Sequence, residues 1–167
     1  LPRCREFLFQ TLGRDGTIFV RPDSPLKLFT GLTVSGDTFE RDYEFMGFYE
    51  FPIETLIVVS SPKTITHEWR FVVVDRQIVA SSLYQSNGEK LAAVANDSNA
   101  FAFAQSVLET EYEPDPVWIL DVCKTNDNQY HLLEVGGFSF ADLYACDKDA
   151  VVRAVSSVAE RIHAASR

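Results

Sequence analysis

The sequence of 167 residues has little of what several protein classes require. Basic residues are few, since 15 Lys and Arg against 24 Asp and Glu give a formal net charge of −9. Nucleic acids are bound by basic surfaces, so this balance argues against a nucleic-acid partner. An acidic chain can still bind a polyphosphate where a few cations are placed locally and a metal ion bridges the remaining charge.

Cysteines and long apolar runs are also scarce. Cys4, Cys123 and Cys146 are scattered and form no CxxC pair or Cys/His cluster, so we expect reduced thiols and a cytoplasmic protein. There is no run typical of a signal peptide or transmembrane helix, and hence no membrane partner is expected. Because the sequence begins with Leu1 rather than Met, we expect a fragment or a processed product.

What is present indicates one globular domain with a substantial core. Hydrophobic residues make up 46% of the chain, and its 13 Phe predict a bulky core or an apolar surface for a partner. Periodicity and caps predict both helices and strands. The predicted elements are a helix over 3–12, a strand over 17–21, a buried strand over 55–61, a hairpin of 64–75 and 77–84, a helix over 97–110 capped by Asp97, a hairpin of 117–123 and 130–135, and a final helix over 148–165 capped by Asp147. Residues 37–50 remain ambiguous.

The second hairpin carries a carboxylate on each strand. If its turn has two or four residues, Asp121 lies opposite Glu134 with Cβ atoms roughly 5 Å apart. Two such carboxylates repel, so a proton or a cation must lie between them, and a divalent metal with oxygen ligands is the simplest solution. The alternative is that one carboxylate faces solvent at a sheet edge, or that a turn of three or five residues shifts the register.

Other candidate groups give weaker indications. Arg21 and Lys27 lie in or beside a turn-rich loop that could hold phosphates, although a lone Lys in a turn is usually solvated. Glu68 and Arg70 share one strand face, where they form either a structural ion pair or a site in which Arg70 binds a phosphate or carboxylate. The strand ending at 58–61 could hydrogen-bond an adenine edge through its backbone, or be only core.

Side chains for nucleophilic catalysis are not apparent. His67, His131 and His163 are not spaced as metal ligands, and Ser139 has no evident base. A hydrolase is therefore not expected.

Taken in order, the segments are more specific than any one of them. Five segments follow one another from about Ile18 to the final helix: "FVRPDSPLKLFTG", "LIVVSSP", "EWRFVVVDRQIVASSLY", "ILDV" and "LLEVGGFSFADLYACD". This order resembles the ATP-grasp superfamily, and within it the clade of carboxylate–amine ligases named for two arginines and a lysine. The resemblance implies an α+β fold with mainly antiparallel sheets and flanking helices, in two lobes of about 1–60 and 61–167.

The resemblance also implies a function and a site. ATP would lie between the lobes, its phosphates contacted by Lys27 and Arg21. The adenine would be held by the backbone of Val58, Val59, Ser60 and Ser61. A carboxylate would become an acyl phosphate and then be displaced by an amine.

In the second lobe the resemblance implies four further site residues. Arg70 would contact phosphate or the acyl phosphate, and Glu68 would orient Arg70. Asp121 and Glu134 would bind Mg²⁺. An alternative is a relative without catalysis that acts as a nucleotide-binding or protein-interaction module, and a third possibility is a structural interaction domain that binds no nucleotide.

Two departures from the family pattern are visible. The metal-binding Glu is usually followed by x-Asn, but Gly136 stands at that position, and Asp142 stands where the family often has Gly. From the resemblance we also expect that the usual N-terminal family domain is not part of this sequence. Apolar residues would then face a missing domain or a second subunit; they are Phe7, Phe9, Phe45, Phe48 and Phe51.

Overall fold

The computed structural model describes residues 1–23, 28–47, Pro52 and 54–167. Helices and antiparallel strands are both present, so the protein is an α+β protein as the resemblance implies. Backbone contacts divide the chain into two compact units, Leu1–Lys63 and Thr64–Arg167. Lys27, Phe48 and Phe51 lie outside the described residues.

Unit 1 contains a three-stranded antiparallel sheet in the order β2-β1-β3. Its elements are a 3₁₀ turn Pro2–Cys4, α1 Arg5–Leu12, β1 Thr17–Pro22, β2 Leu32–Ser35, α2 Phe39–Gly47 and β3 Ile57–Ser60. Within its described part, residues 37–47, the ambiguous segment is thus mainly helical. The strand β2 was not predicted, because a segment of four residues carries too little pattern to be distinguished from a loop.

The core of unit 1 is formed by buried residues of the sheet, of the segment before β2 and of α2; among those described they are Ile18, Val20, Phe29, Val34 and Phe39. Leu8, Phe9 and Leu12 of α1 pack against this core. Phe7 is next to Leu8 in the chain, but it is 66% exposed. Phe9 takes the inward place instead, as the spacing of 3.6 residues per turn allows.

The strand β3 is only partly buried, whereas a fully buried strand was expected. Val58 is 38% exposed, and Leu56, just before the strand, is 72% exposed. The reason is topological: among the described strands β3 lies at the edge of its sheet and pairs only with β1.

Unit 2 contains a five-stranded antiparallel sheet in the order β6-β5-β4-β7-β8. Its elements are β4 Ile65–Val74, β5 Gln77–Ser86, β6 Glu89–Val94, α3 Ser98–Leu108, β7 Val117–Thr125, β8 Tyr130–Gly137, a 3₁₀ turn Phe138–Phe140 and α4 Lys148–Ala165. Both predicted hairpins and both predicted caps are confirmed. Asp97 accepts from Asn99 and Ala100, and Asp147 accepts from the N–H of Ala150.

Each face of this sheet packs against one helix. One face, with Trp69, Phe71, Trp118, Leu120 and Val122, packs on α3, and the other, with Val72 and Ile119, packs on α4. The inward side of α3 is formed by Ala100, Ala104 and Leu108. Phe101, three residues before Ala104 on the helix, is 45% exposed, although its ring meets Phe71 edge-on with centroids 6.3 Å apart.

Within the described part of the chain, no helix has the length and apolar character needed to cross a bilayer.

Candidate functional site

One row of polar side chains crosses the sheet of unit 2 on the face of α4. Ser82 on β5 pairs with Arg70 on β4, Arg70 with Asp121 on β7, and Asp121 with Glu134 on β8. Residues directly opposite each other on neighbouring strands lie on the same face. Ser82 and Asp121 are buried, and Arg70 and Glu134 are partly buried.

The pairing of Asp121 with Glu134 was predicted, but the turn length from which it was predicted is wrong. The turn has three residues, 126–128, with Asn128 at φ 63° and the Thr125 N–H donating to the Gln129 carbonyl over 2.9 Å. Next to this turn the register is therefore shifted by one residue relative to the one predicted for a two- or four-residue turn, and Val122 lies opposite Leu132. A bulge between these pairs restores Asp121 opposite Glu134.

The bulge determines which way the Glu134 side chain faces. If the register at the turn continued without it, Glu134 would lie opposite Leu120, a fully buried residue of the α3 core. With Leu133 as the extra residue, Glu134 lies instead on the face of Asp121. Bulges often re-aim a side chain beside an active site, and this one brings two carboxylates together.

Arg70 binds Asp121 through two parallel hydrogen bonds. Nε donates to Oδ1 over 2.9 Å and Nη2 to Oδ2 over 2.7 Å. Their side chains are only 15% and 4% exposed, so water screens the pair little. The hydrogen bonds that Arg70 donates to Asp121 raise the pKa of Arg70 above its usual value, so the guanidinium is permanently charged.

A third contact of Arg70 reaches the loop after β8. Nη1 donates to the Asp142 carbonyl over 2.9 Å. A guanidinium has five N–H donors, so contacts with the described residues engage three of them. The other two donors make no hydrogen bond to the residues that the structure describes.

Glu68, two residues before Arg70, was expected to pair with Arg70 or to orient it. Its carboxylate instead accepts from the Tyr84 hydroxyl over 2.7 Å and from the side-chain amide of Gln85. Burial and the nearby Asp121 raise the pKa of Tyr84, which keeps the phenol protonated and able to donate. Glu68 therefore contacts Tyr84, whose ring lies 5.5 Å from the Arg70 guanidinium carbon.

The loop of residues 141–146 contacts the polar row at Arg70 and Ser82. The Ala145 N–H donates to the Ser82 hydroxyl over 3.2 Å, and the Tyr144 ring stacks on Tyr84 with centroids 5.0 Å apart. Tyr144 has φ 48°, which costs a bulky residue on the order of 1–3 kcal/mol unless its surroundings hold it. Burial raises the pKa of the Cys146 thiol to about 11, so this group is not a thiolate nucleophile at neutral pH.

The carboxylate pair fits a divalent cation that is shared with phosphates. Mg²⁺ is usually held by one or two carboxylates, with waters and substrate phosphates as the other ligands. No cluster of three or more His, Cys, Asp or Glu suited to a metal occurs among the described residues.

Gly136 lies on the same strand as Glu134, two residues further on, and so on the same face. A Cβ atom built on Gly136 would lie 4.0 Å from Glu134 Oε1, an ordinary contact distance. An asparagine can therefore be accommodated at this position, with its side chain beside the Glu134 carboxylate.

The other predicted residues belong to unit 1. Arg21 pairs with Val58, while Lys27 lies outside the described residues. The Asp23 N–H donates to the Leu56 carbonyl over 2.9 Å, so by alternation Val58 and Ser60 direct their backbone groups toward β1.

The backbone groups of Val59 and Ser61 consequently point to the open edge of β3. The Ser61 hydroxyl donates to the Leu12 carbonyl over 2.7 Å, which fixes the end of the strand. Of the four predicted adenine-binding residues, these two have backbone groups available for a ligand.

The sequence analysis did not identify three residues of this site: Ser82, Tyr84 and Tyr144. Ser82 and Tyr84 belong to the predicted strand "QIVASSLY", in which polar residues interrupt an apolar pattern. That interruption was the available signal. Tyr144 gave none, because its contact with Tyr84 joins residues 60 positions apart in the chain.

The sequence matches one known family over most of its length. Residues 6–154 match the model of an ATP-grasp domain family, the second family of the clade named for two arginines and a lysine. No curated protein matches the sequence.

Several solved structures have a similar fold. The ATP-grasp ligase PsnB complexed with minimal precursor has a TM-score of 0.54 and 13% identity, with 81% of this chain and 43% of that chain covered. PsnB with a phosphomimetic precursor variant, Mg and ADP has a TM-score of 0.54 and 12% identity, with 81% and 40% covered.

A third similar structure is N5-carboxyaminoimidazole synthetase from Staphylococcus aureus complexed with ADP. It has a TM-score of 0.54 and 14% identity, with 80% of this chain and 36% of that chain covered. At such identities the likeness shows the fold alone. This chain spans less than half the length of each of these proteins.

Proposed function

Because this chain belongs to the second ATP-grasp family of the clade named for two arginines and a lysine, we propose that it binds Mg-ATP and ligates a carboxylate to an amine. The observation that carries the proposal is the polar row on the α4 face of unit 2. There Glu134 lies opposite Asp121, and Asp121 is bound by Arg70. A carboxylate pair beside a fixed arginine suits a metal-bound polyphosphate.

Asp121 and Glu134 are the proposed magnesium ligands. The bulge in β8 that turns Glu134 away from the core supports this role, because its effect is to place both carboxylates on one face. When bound, Mg²⁺ would neutralise charge on the phosphates during phosphoryl transfer.

Arg70 is the proposed catalytic residue. Its two remaining donors would hold a phosphate oxygen or the acyl phosphate, for which a planar guanidinium is well shaped. The contact through Tyr84 is the route by which Glu68 would orient Arg70. This replaces the direct contact that the sequence suggested.

In unit 1, Arg21 and Lys27 are proposed to contact the ATP phosphates. The segment from Val58 to Ser61 is proposed to hold adenine. The backbone groups of Val59 and Ser61, which point to the open edge of β3, are the ones suited to hydrogen-bond a base.

The reaction needs no side-chain nucleophile. A substrate carboxylate oxygen attacks the γ-phosphorus, the bond to the β-phosphate oxygen breaks, and ADP leaves. The amine then attacks the acyl carbon, the bond between this carbon and the phosphate oxygen breaks, phosphate leaves and the nitrogen loses a proton. Catalysis then consists of positioning and electrostatic stabilisation, the roles that the polar row suits.

The proposal is tested by calorimetric titration of ATP with and without Mg²⁺. We expect binding that depends on magnesium and that weakens by at least about tenfold in Glu134→Ala, since a ligand to the metal is removed. Gly136→Asn is expected to strengthen binding, because an amide oxygen is added beside Glu134.

A matched control for this titration is Glu89→Ala, which removes an exposed carboxylate from β6 in the same sheet. It should leave the affinity unchanged. No heat from the unmodified protein with either form of ATP would refute the proposal, as would equal losses in Glu89→Ala and Glu134→Ala.

A second candidate function is nucleotide binding without turnover. Gly136 favours it, because the family usually has Asn at this position and glycine offers the metal no side-chain oxygen. The two candidates differ in one measurement. A ligase releases ADP and phosphate when carboxylates and amines are added. A protein that only binds the nucleotide takes up Mg-ATP saturably and releases neither product.

A further inference from the structure

Tyr84 has an unusual place in the sheet of unit 2. Its neighbours Leu83 and Gln85 pair with Trp69 and Glu68, so Tyr84 is the extra residue of a bulge in β5. The pairing of β5 with β6 shifts at the same residue. Through this bulge Tyr84 and Gln85 both reach the Glu68 carboxylate.

The Tyr84 ring joins two groups that do not lie next to each other in the chain. Its hydroxyl donates to Glu68 over 2.7 Å, and its ring lies 5.5 Å from the Arg70 guanidinium carbon. Tyr144 lies 5.3 Å from the same carbon. The ring centroids are 5.0 Å apart, so the three distances are nearly equal and the guanidinium is not inserted between the two stacked rings.

The Tyr144 ring is itself held in place by Arg70 and by β5. Arg70 donates to the Asp142 carbonyl, and Ser82 accepts from the Ala145 N–H, so the loop is fastened on both sides of Tyr144. The contacts form a closed circuit from Arg70 through the loop and Tyr144 to Tyr84 and back to Arg70. Such a circuit restrains the long arginine side chain more than its contact with Asp121 alone.

We propose that Tyr84 and Tyr144 are positioning residues that hold the Arg70 guanidinium in place beside Asp121. This inference rests on the proposed function, because it concerns how Arg70 stays in place when a cation binds Asp121. A divalent cation would compete with Arg70 for the carboxylate oxygens and repel its charge. The two rings attract the guanidinium and hold no group that a cation would compete for strongly.

The test uses NMR detection of the Arg70 Nε–H group, identified by its loss in Arg70→Lys. In the unmodified protein we expect a slowly exchanging signal, shifted by the rings, that persists when MgCl₂ is added. Tyr84→Leu and Tyr144→Asn should shift and broaden it, most strongly with MgCl₂. Tyr84→Phe retains the ring but loses the hydrogen bond to Glu68, so it should change the signal less than Tyr84→Leu does.

Two choices of variant separate positioning from misfolding. Tyr144 has positive φ, which asparagine tolerates, so Tyr144→Asn removes the ring without straining the backbone. This variant therefore provides the test if Tyr84→Leu does not fold. Tyr112→Leu removes an exposed tyrosine elsewhere in unit 2 and should leave the Arg70 signal unchanged. An unchanged signal in a folded Tyr144→Asn variant would overturn the proposal.

Titration of Mg-ATP into the same variants links positioning to binding. We expect affinity to fall by up to about tenfold in Tyr84→Leu and Tyr144→Asn, and by less than about twofold in Tyr84→Phe. Equal losses in Tyr84→Phe and Tyr84→Leu would overturn a role for the ring. If the unmodified protein does not bind Mg-ATP, the proposed function fails, while the NMR signal still decides whether the rings position Arg70.

Discussion

Arg70 and Arg161 each bind an aspartate through two parallel hydrogen bonds, but in different surroundings. Arg70 and Asp121 are 15% and 4% exposed, whereas Arg161 and Asp75 are 59% and 44% exposed. Because the two pairs have similar hydrogen-bond geometry but different burial, comparing them separates the contribution of burial to stability from that of hydrogen bonding. Burial removes the competition with water that makes exposed ion pairs weak.

At this scale we predict that Arg70→Ala lowers the free energy of unfolding by about 3 kcal/mol, because it breaks a buried, charge-assisted contact. Arg161→Ala should cause little measurable change. Urea denaturation of both variants tests the difference. Comparable losses in the two variants would show that burial does not distinguish these pairs.

At the scale of elements, the start of α3 depends on one carboxylate. Asp97 accepts from the backbone of Asn99 and Ala100 and from the Tyr130 hydroxyl. Burial opposes ionisation of this group, but the hydrogen bonds prevail and lower its pKa below 3.8. Asp97 therefore joins a helix cap to a side chain of β8.

We predict that Asp97→Ala destabilises the protein by about 1 kcal/mol near neutral pH, while Asp97→Asn, which can still cap, costs less. Because the folded-state pKa of Asp97 is lowered, its ionised form stabilises the fold above pH 3.8, and this contribution is lost as pH falls through the folded-state pKa. Urea denaturation near neutral pH and below about pH 3 tests this. A gap between wild type and Asp97→Asn that does not shrink in acid would contradict it.

Two helix caps and one hairpin turn could be predicted from the sequence, because each depends only on residues that are neighbours in the chain. Asp97 and Asp147 lie next to the helices that they cap, and the tight turn at Asp75 and Arg76 lies between two apolar runs. The strands β2 and β6 were missed, and β3 was taken as buried. Whether a strand lies at an edge depends on its neighbours in the sheet, which short sequence windows do not contain.

At the scale of the whole molecule, the two units have cores of different extent. Among the described residues, unit 1 has one cluster of buried side chains, whereas unit 2 has one on each face of its sheet. In unit 2, β4 is the central strand, and β5 and β7 flank it. A strand that is paired on both sides and covered on both faces opens only with the whole unit.

We therefore predict that amide hydrogens of β4 and β7 exchange most slowly, and that those of β2 and β3 exchange faster. Hydrogen exchange followed by NMR measures this, after correction for intrinsic rates. The edge strand β6 provides a comparison within unit 2, and it should exchange faster than β4. Protection of β1 equal to that of β4 would show that the smaller core of unit 1 does not limit its stability.

The sequence alone determined the family, the fold class and both hairpins, since these depend on the order and alternation of residues within short segments. Only the tertiary structure decided how the carboxylates Asp121 and Glu134 come to face each other, because the three-residue turn shifts the register and the bulge at Leu133 shifts it back. It also decided that Arg70 binds Asp121 and lies beside Tyr84 and Tyr144. These contacts join residues far apart in the chain, and strand pairing and loop packing alone bring them together.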